Sequence, residues 1–186
     1  MVSGASLDLL HLRPARVEDA PQLAHIHLQT WQAAYREILS ERFLSDLNGG
    51  VPQRTAFLAQ AIAGGALSVW VVELEGELVA WASFGSSRDV DASAATGELR
   101  ALNLLPGIWG QGIGTRLWGQ VRQQLVEAGY ASATVWVVQG NRRALGFYQA
   151  LGFVAEPHTE KTVVEHDEPL SLVRYRVQLP QVAAEG

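Results

Sequence analysis

The 186-residue chain contains no cysteine, one methionine and a single lysine, Lys161. Without thiols there is no disulfide scaffold, no thiolate metal site and no cysteine nucleophile, and such a composition suits a reducing cytosol. The lysine follows Glu160 rather than a glycine, so the Gly-Lys pair of a Walker loop is absent and P-loop nucleotide hydrolysis is excluded. A Schiff-base lysine would have to be this same residue, which stands in a polar stretch with no pocket signature. Basic residues as a class are scarce: 14 against 19 acidic, a formal charge of −5. That balance argues against non-specific nucleic-acid binding, which needs a basic footprint. No basic run leads into a long apolar stretch at the start, and the most apolar region, Val69 to Phe84, is interrupted by Glu73, Glu75 and Glu77. Neither a secretory signal nor a membrane span is expected, which places the protein in the cytoplasm.

What is present is enough for one core. Apolar residues make up 48% of the chain, and a domain of this length buries roughly 70% of its unfolded surface. The reading is one domain over residues 1–179 with a tail at 180–186. Periodicity predicts a strand from Leu7 to Arg13 and a helix from Asp19 to Tyr35, with Leu23, Ile26 and Thr30 on one row and Leu28, Trp31 and Tyr35 on another. Further helices are predicted over Glu37–Leu47 and Pro52–Ala63, the latter ended by Gly64-Gly65. A hairpin follows, Leu67–Leu74 and Glu77–Phe84 about a turn at Glu75-Gly76, then a long loop from Gly85 to Gly97. Next come a strand at Glu98–Leu105, a helix carrying Ile113, Leu117, Val121 and Leu125, a strand at Ala133–Val138, a helix capped by Asn141, and an alternating strand from Ser171 to Leu179 with one wetter face. The fold class is mixed α/β.

The densest chemical signal is Trp109-Gly110-Gln111-Gly112-Ile113-Gly114-Thr115, between a strand and an amphipathic helix. So many glycines are costly at a helix start unless the backbone approaches something closely. Helix amino termini present unpaired N–H groups that suit a pyrophosphate. The GxGxxG dinucleotide spacing fails here, since Thr115 and Leu117 fall where the last glycine should. This is therefore a phosphate turn of another kind, or a tight strand-to-helix turn. Histidines give no metal pattern: His25 and His27 point to different faces, and His11, His158 and His166 lack ligand spacing, so no metal is expected.

Together with Asn141, Ala144, Phe147-Tyr148 and Leu151-Gly152-Phe153, the glycine segment resembles the GCN5-related N-acetyltransferase (GNAT) superfamily. Trp31-Gln32-Ala33-Ala34-Tyr35 is similar to the first-helix region of many bacterial members. The resemblance covers most of Leu7 to Leu179. It implies a central mixed, mostly antiparallel twisted sheet flanked by helices on both faces, and acetyl-CoA as cosubstrate. It implies that Trp109, Gly110, Gln111, Gly112, Ile113, Gly114 and Thr115 form the pyrophosphate loop. It further implies that the backbone of Leu102 and Leu104 holds the pantetheine arm, and that Asn141 touches the cofactor besides capping its helix. Trp109 departs from the family pattern, standing where Arg or Gln is usual. It either packs on the cofactor or shields the turn.

The resemblance also implies the catalytic pair. Glu98 matches a position where many members carry the base that deprotonates the acceptor ammonium; a solvated strand-end carboxylate is the alternative. Arg100 shares its strand face, and a close pair would weaken Glu98 as a base. Tyr148 matches the acid that protonates the departing thiolate; a core aromatic is the alternative. Trp31 and Tyr35 are candidates to line the acceptor pocket. The implied function is acetyl transfer to the primary amine of a small molecule or peptide, by direct attack in a ternary complex. The competing readings are a protein N-terminal acetyltransferase and an acyl-CoA-binding sensory domain without catalysis. An edge strand near the carboxyl terminus is a candidate homodimer surface.

Overall fold

The computed structural model describes residues 9–65 and 67–181. Seven strands form one mixed sheet flanked by helices, in the order β1-β2-β3-β4-β5-β7-β6. The chain divides into two compact units, Met1–Ser83 with Ala101–Val121, and Phe84–Arg100 with Arg122–Gly186.

In the first unit, β1 (Leu10–Pro14) runs antiparallel to β2 (Ser68–Leu74). Pro14 is the last paired residue of this edge strand, where the missing N–H costs least; Leu7 and Asp8 of the expected strand lie outside the described residues. β2 joins β3 (Glu77–Ser86) through Glu75 and Gly76, both left-handed at φ 54° and 86°, the turn that matches strand twist. Helix α1 (Ala20–Ala34) buries Leu23, Ala24 and Ile26, and the Trp81 indole donates to the Leu23 carbonyl at 2.9 Å. Helix α2 (Glu41–Asp46) is shorter than its apolar pattern predicts. The chain turns first at Tyr35, whose carbonyl takes the amides of Ile38 and Leu39, and the helix starts only where the Ser40 hydroxyl accepts from the Phe43 amide. Helix α3 (Val51–Gly64) ends at Gly65, as predicted.

Two elements run through both units. In β4 (Thr96–Leu104) the Thr96 carbonyl accepts from Ser87, just past β3, at 2.9 Å. At the far end the Leu105 amide donates to Val79 of β3, also at 2.9 Å. A trans peptide points the Leu104 carbonyl the opposite way from that amide. Carbonyls eight residues apart in a regular strand point the same way, so β4 contains a one-residue irregularity of the β-bulge type. Helix α4 (Ile113–Glu127) buries Ile113, Leu117, Val121 and Leu125, the row read from the sequence.

In the second unit, β5 (Ser132–Val138), β7 (Glu168–Gln178) and β6 (Val154–Glu165) are antiparallel neighbours, and α5 (Arg142–Ala150) precedes β6. Sequence periodicity did not reveal β6. The predicted wetter face of β7 is also not simply wet: Arg174 is buried at 3% exposure. Among the described residues, no helix is long and apolar enough to cross a membrane.

Candidate active site

The glycine segment lies in the first unit, entering α4. Gly110 and Gly112 take φ of +77° and +80°, a region that L side chains avoid, which explains their chemistry. A Cβ at either position would meet nothing within 4 Å. The backbone here is therefore open rather than sealed beneath side chains, as a diphosphate cradle requires. The Arg116 amide bonds to the Gly112 carbonyl and begins the helix, so the preceding amides have no intrahelical partner. Gln111 folds back to the Gly107 carbonyl at 3.1 Å. The Trp109 indole donates to the Leu104 carbonyl at 2.9 Å, tying the loop to the end of β4.

Helix α1 fixes that same strand end. The Thr30 hydroxyl lies 2.7 Å from the Ile26 carbonyl and 2.9 Å from the Leu104 carbonyl, so its one proton is shared between them. Buried His27 is hydrogen-bonded to Asn103 of β4, and its Nδ1 is buried with no partner among the described residues. Burial, followed by the charge of Arg54, pushes this imidazole down to about 3, so it is neutral at physiological pH. Trp31 stands between His27 and Tyr35, with ring centroids 5.1 and 4.7 Å away, and stacks on Phe43 at 6.4 Å. The two residues proposed for an acceptor pocket thus belong to one aromatic cluster.

In the second unit, the parallel ladder between β4 and β5 holds only Thr96 with Ser132, Gly97 with Ala133 and Glu98 with Thr134. Glu98 is the last residue of β4 paired with β5, and its side chain is 3% exposed. Its partner is Arg88, not the Arg100 that the strand face suggested. Nη2 of Arg88 reaches Oε1 at 2.6 Å, while Nε and the backbone N–H reach Oε2 at 3.2 and 3.0 Å. The Arg88 guanidinium is held above its usual range, chiefly by this carboxylate. Arg100 instead donates from Nη2 to the Ser86 carbonyl at 3.0 Å. The solvated alternative for Glu98 does not apply, because the carboxylate is buried and bonded three times.

The comparisons give these positions a context. The acetyltransferase (GNAT) family model matches residues 23–153. This chain belongs to the GNAT family. A Bacillus subtilis (strain 168) relative, the uncharacterized N-acetyltransferase YuaI, is 31% identical over 143 residues, 76% of this chain and 79% of its own. Among solved structures, a GCN5-related N-acetyltransferase from Rhodopseudomonas palustris superposes with a TM-score of 0.73 at 22% identity, over 91% of this chain and 95% of that one. YncA from Salmonella typhimurium, solved with its cofactor acetyl-CoA, gives 0.66 at 20% identity, over 96% and 98%. As a GNAT member the protein is an acyltransferase with acetyl-CoA as its cosubstrate, acting on an amine acceptor. The matched span contains every residue that the resemblance singled out, from Trp31 to Phe153.

The second GNAT block lies in the second unit. Asn141 caps α5, its Oδ1 accepting from the Ala144 amide at 3.1 Å. Tyr148 is 7% exposed and meets Phe147 and Phe153 edge-on, with centroids 5.2 and 5.4 Å away. Two further arginines matter that the sequence reading passed over. One is Arg88. The other is Arg174, which bonds Asp89, Asp91 and Glu156 at 3.1, 2.6 and 2.5 Å. The Trp136 indole donates to Asp89 at 3.0 Å, and the only lysine, Lys161, sits 3.5 Å above the centre of that ring. The sole signal for these pairings was an arginine and two aspartates in one loop, Arg88-Asp89-Val90-Asp91.

Proposed function

We propose that this GNAT enzyme acetylates the primary amine of a small-molecule acceptor by direct attack in a ternary complex, in the cytoplasm. The observation that carries the reading is the open, left-handed pair Gly110 and Gly112 at the head of α4, inside the family-matched span. Bound acetyl-CoA supplies an activated thioester acetyl group. Main-chain amides from Trp109 to Thr115, through Gly110, Gln111, Gly112, Ile113 and Gly114, hold its diphosphate, where the partial positive charge of the helix terminus favours an anion. The backbone of Leu102 and the N–H of Leu104, whose carbonyl already accepts from Trp109 and Thr30, align the pantetheine arm as an added strand, and Asn141 touches the cofactor while capping α5.

An ammonium must lose a proton before it attacks. Arg88 occupies one acceptor position on Oε1 of Glu98 and two on Oε2, and a carboxylate offers about four in all. The open position on Oε1 is where Glu98 takes the acceptor's proton through water. Tyr148 Oη carries the proton that the departing thiolate takes. Trp31 and Tyr35 contribute apolar lining for the acceptor.

Thermal-shift measurements with CoA, acetyl-CoA, ATP and NAD test the loop. A ligand at 100 times its dissociation constant stabilises by about 2.7 kcal/mol, and only the two thioester-carrier forms should do so. CoA release over a panel of amines then separates an enzyme from a sensor. Stabilisation by CoA with no release for any amine would leave the sensory reading standing.

A further inference from the structure

Four arginines lie on the strands. Arg13 is bonded to Asp19 and Glu73, Arg174 to Asp89, Asp91 and Glu156, and Arg176 to Glu156. Arg100 bonds no carboxylate among the described residues. Its one hydrogen bond among the described residues is from Nη2 to the Ser86 carbonyl, and its Nε is buried without a partner. The nearby acid, Glu98, is committed to Arg88. A guanidinium offers five donors in a planar fork, so most of Arg100's capacity is unspent. Desolvation and then the neighbouring Arg88 charge hold it below its ordinary value, although still protonated. Its position is also informative. Arg100 stands two residues beyond Glu98 in β4, where the pairing of β4 with β5 has ended.

A half-buried cation of this kind costs free energy unless an anion answers it. Glu98 is close enough for its charge to be felt but is bonded to Arg88, so among the described residues no carboxylate bonds Arg100, and a planar fork is the geometry that takes a carboxylate through two parallel N–H···O bonds. We propose that Arg100 receives the carboxylate of the acceptor, so that the substrates are amino acids or related amino-carboxylates rather than simple amines or polyamines. The inference rests on the transferase reading only in calling that ligand an acceptor.

The test pairs each acceptor with its decarboxylated form: L-phenylalanine with phenethylamine, L-leucine with isoamylamine, L-alanine with ethylamine, and so on through the proteinogenic set. The wild-type enzyme should prefer the carboxylated member of its best pair. Arg100→Gln should collapse that kcat/KM ratio about 10- to 100-fold, the worth of a charged hydrogen bond. Arg100→Lys keeps the charge without the fork and should restore only part of the ratio; it also serves if the glutamine variant fails to fold. Equal use of both members, or a ratio unmoved by either substitution, overturns the proposal. If no amine is acetylated at all, the transferase reading fails instead. The subsite is then judged by calorimetry with CoA present, comparing N-acetyl-L-phenylalanine with N-acetylphenethylamine. An acid preference lost in Arg100→Gln upholds it, and equal or absent binding refutes it.

Discussion

Arg88 grips both oxygens of Glu98, yet the two side chains live in opposite surroundings, 64% exposed for the arginine and 3% for the glutamate. That asymmetry makes their removal unequal. Arg88→Ala strands a buried carboxylate that keeps one backbone N–H from residue 88, and should cost about 1–3 kcal/mol. Glu98→Gln leaves an arginine that water can rehydrate and should cost less in stability. It should nevertheless lower kcat by about 10²-fold or more if Glu98 accepts the proton. Urea titration and initial rates on both variants check the inversion: the arginine change hurts folding more, the glutamate change hurts turnover more.

Tyr148→Phe removes one oxygen from a side chain already packed against Phe147 and Phe153. Turnover should fall about 10²–10⁴-fold, with the CoA dissociation constant within a few-fold of wild type. Near-normal turnover would return this residue to the core.

Gly112→Ala meets no steric obstacle, because no atom lies within 4 Å of the added carbon. Its φ of +80° is the difficulty, costing an L residue about 1–2 kcal/mol. The chain can relieve that strain by rotating the amides that open α4. We expect a modest loss of stability with a roughly tenfold weaker CoA affinity, read by calorimetry. An unchanged affinity would detach the loop from the diphosphate.

His27 makes stability depend on pH with a definite sign. Its folded value of about 3 lies below the ordinary 6.5, so as pH falls the unfolded chain binds the proton first. Stability is therefore complete above about pH 6.5 and is lost on descending toward 3, with a slope of about 1.4 kcal/mol per pH unit from this one group. His27→Gln, which retains a polar partner for Asn103, should flatten the slope between pH 6 and 4 in denaturant titrations.

The helices and the central strands were legible because their apolar residues keep time. The Ile113, Leu117, Val121 and Leu125 row is buried as read, and the Glu75-Gly76 turn and the Asn141 cap stand where local chemistry put them. β6 keeps no such time. It is a mostly exposed outer strand containing Pro157, Glu160 and Lys161, and its pairing with β7 slips between Glu156 and Lys161. The early part of the 37–47 helix gave way to a turn because the Ser40 cap outweighed an apolar pattern. In the candidate site, the glycine loop was visible as a local motif. The partner of Glu98 was not, because strand-face logic offers neighbours at two residues' distance and the true one comes from ten residues away, out of a loop. Arg174 lies farther still, 85 residues from Asp89.

The stretch between β3 and β4 is fastened at three successive points: Arg88 to Glu98, Asp89 to Arg174 and Trp136, and Asp91 to Arg174. Long connections at active centres often serve as doors. This one is bolted to the sheet it borders, and its acidic side chains there are spent on holding Arg174.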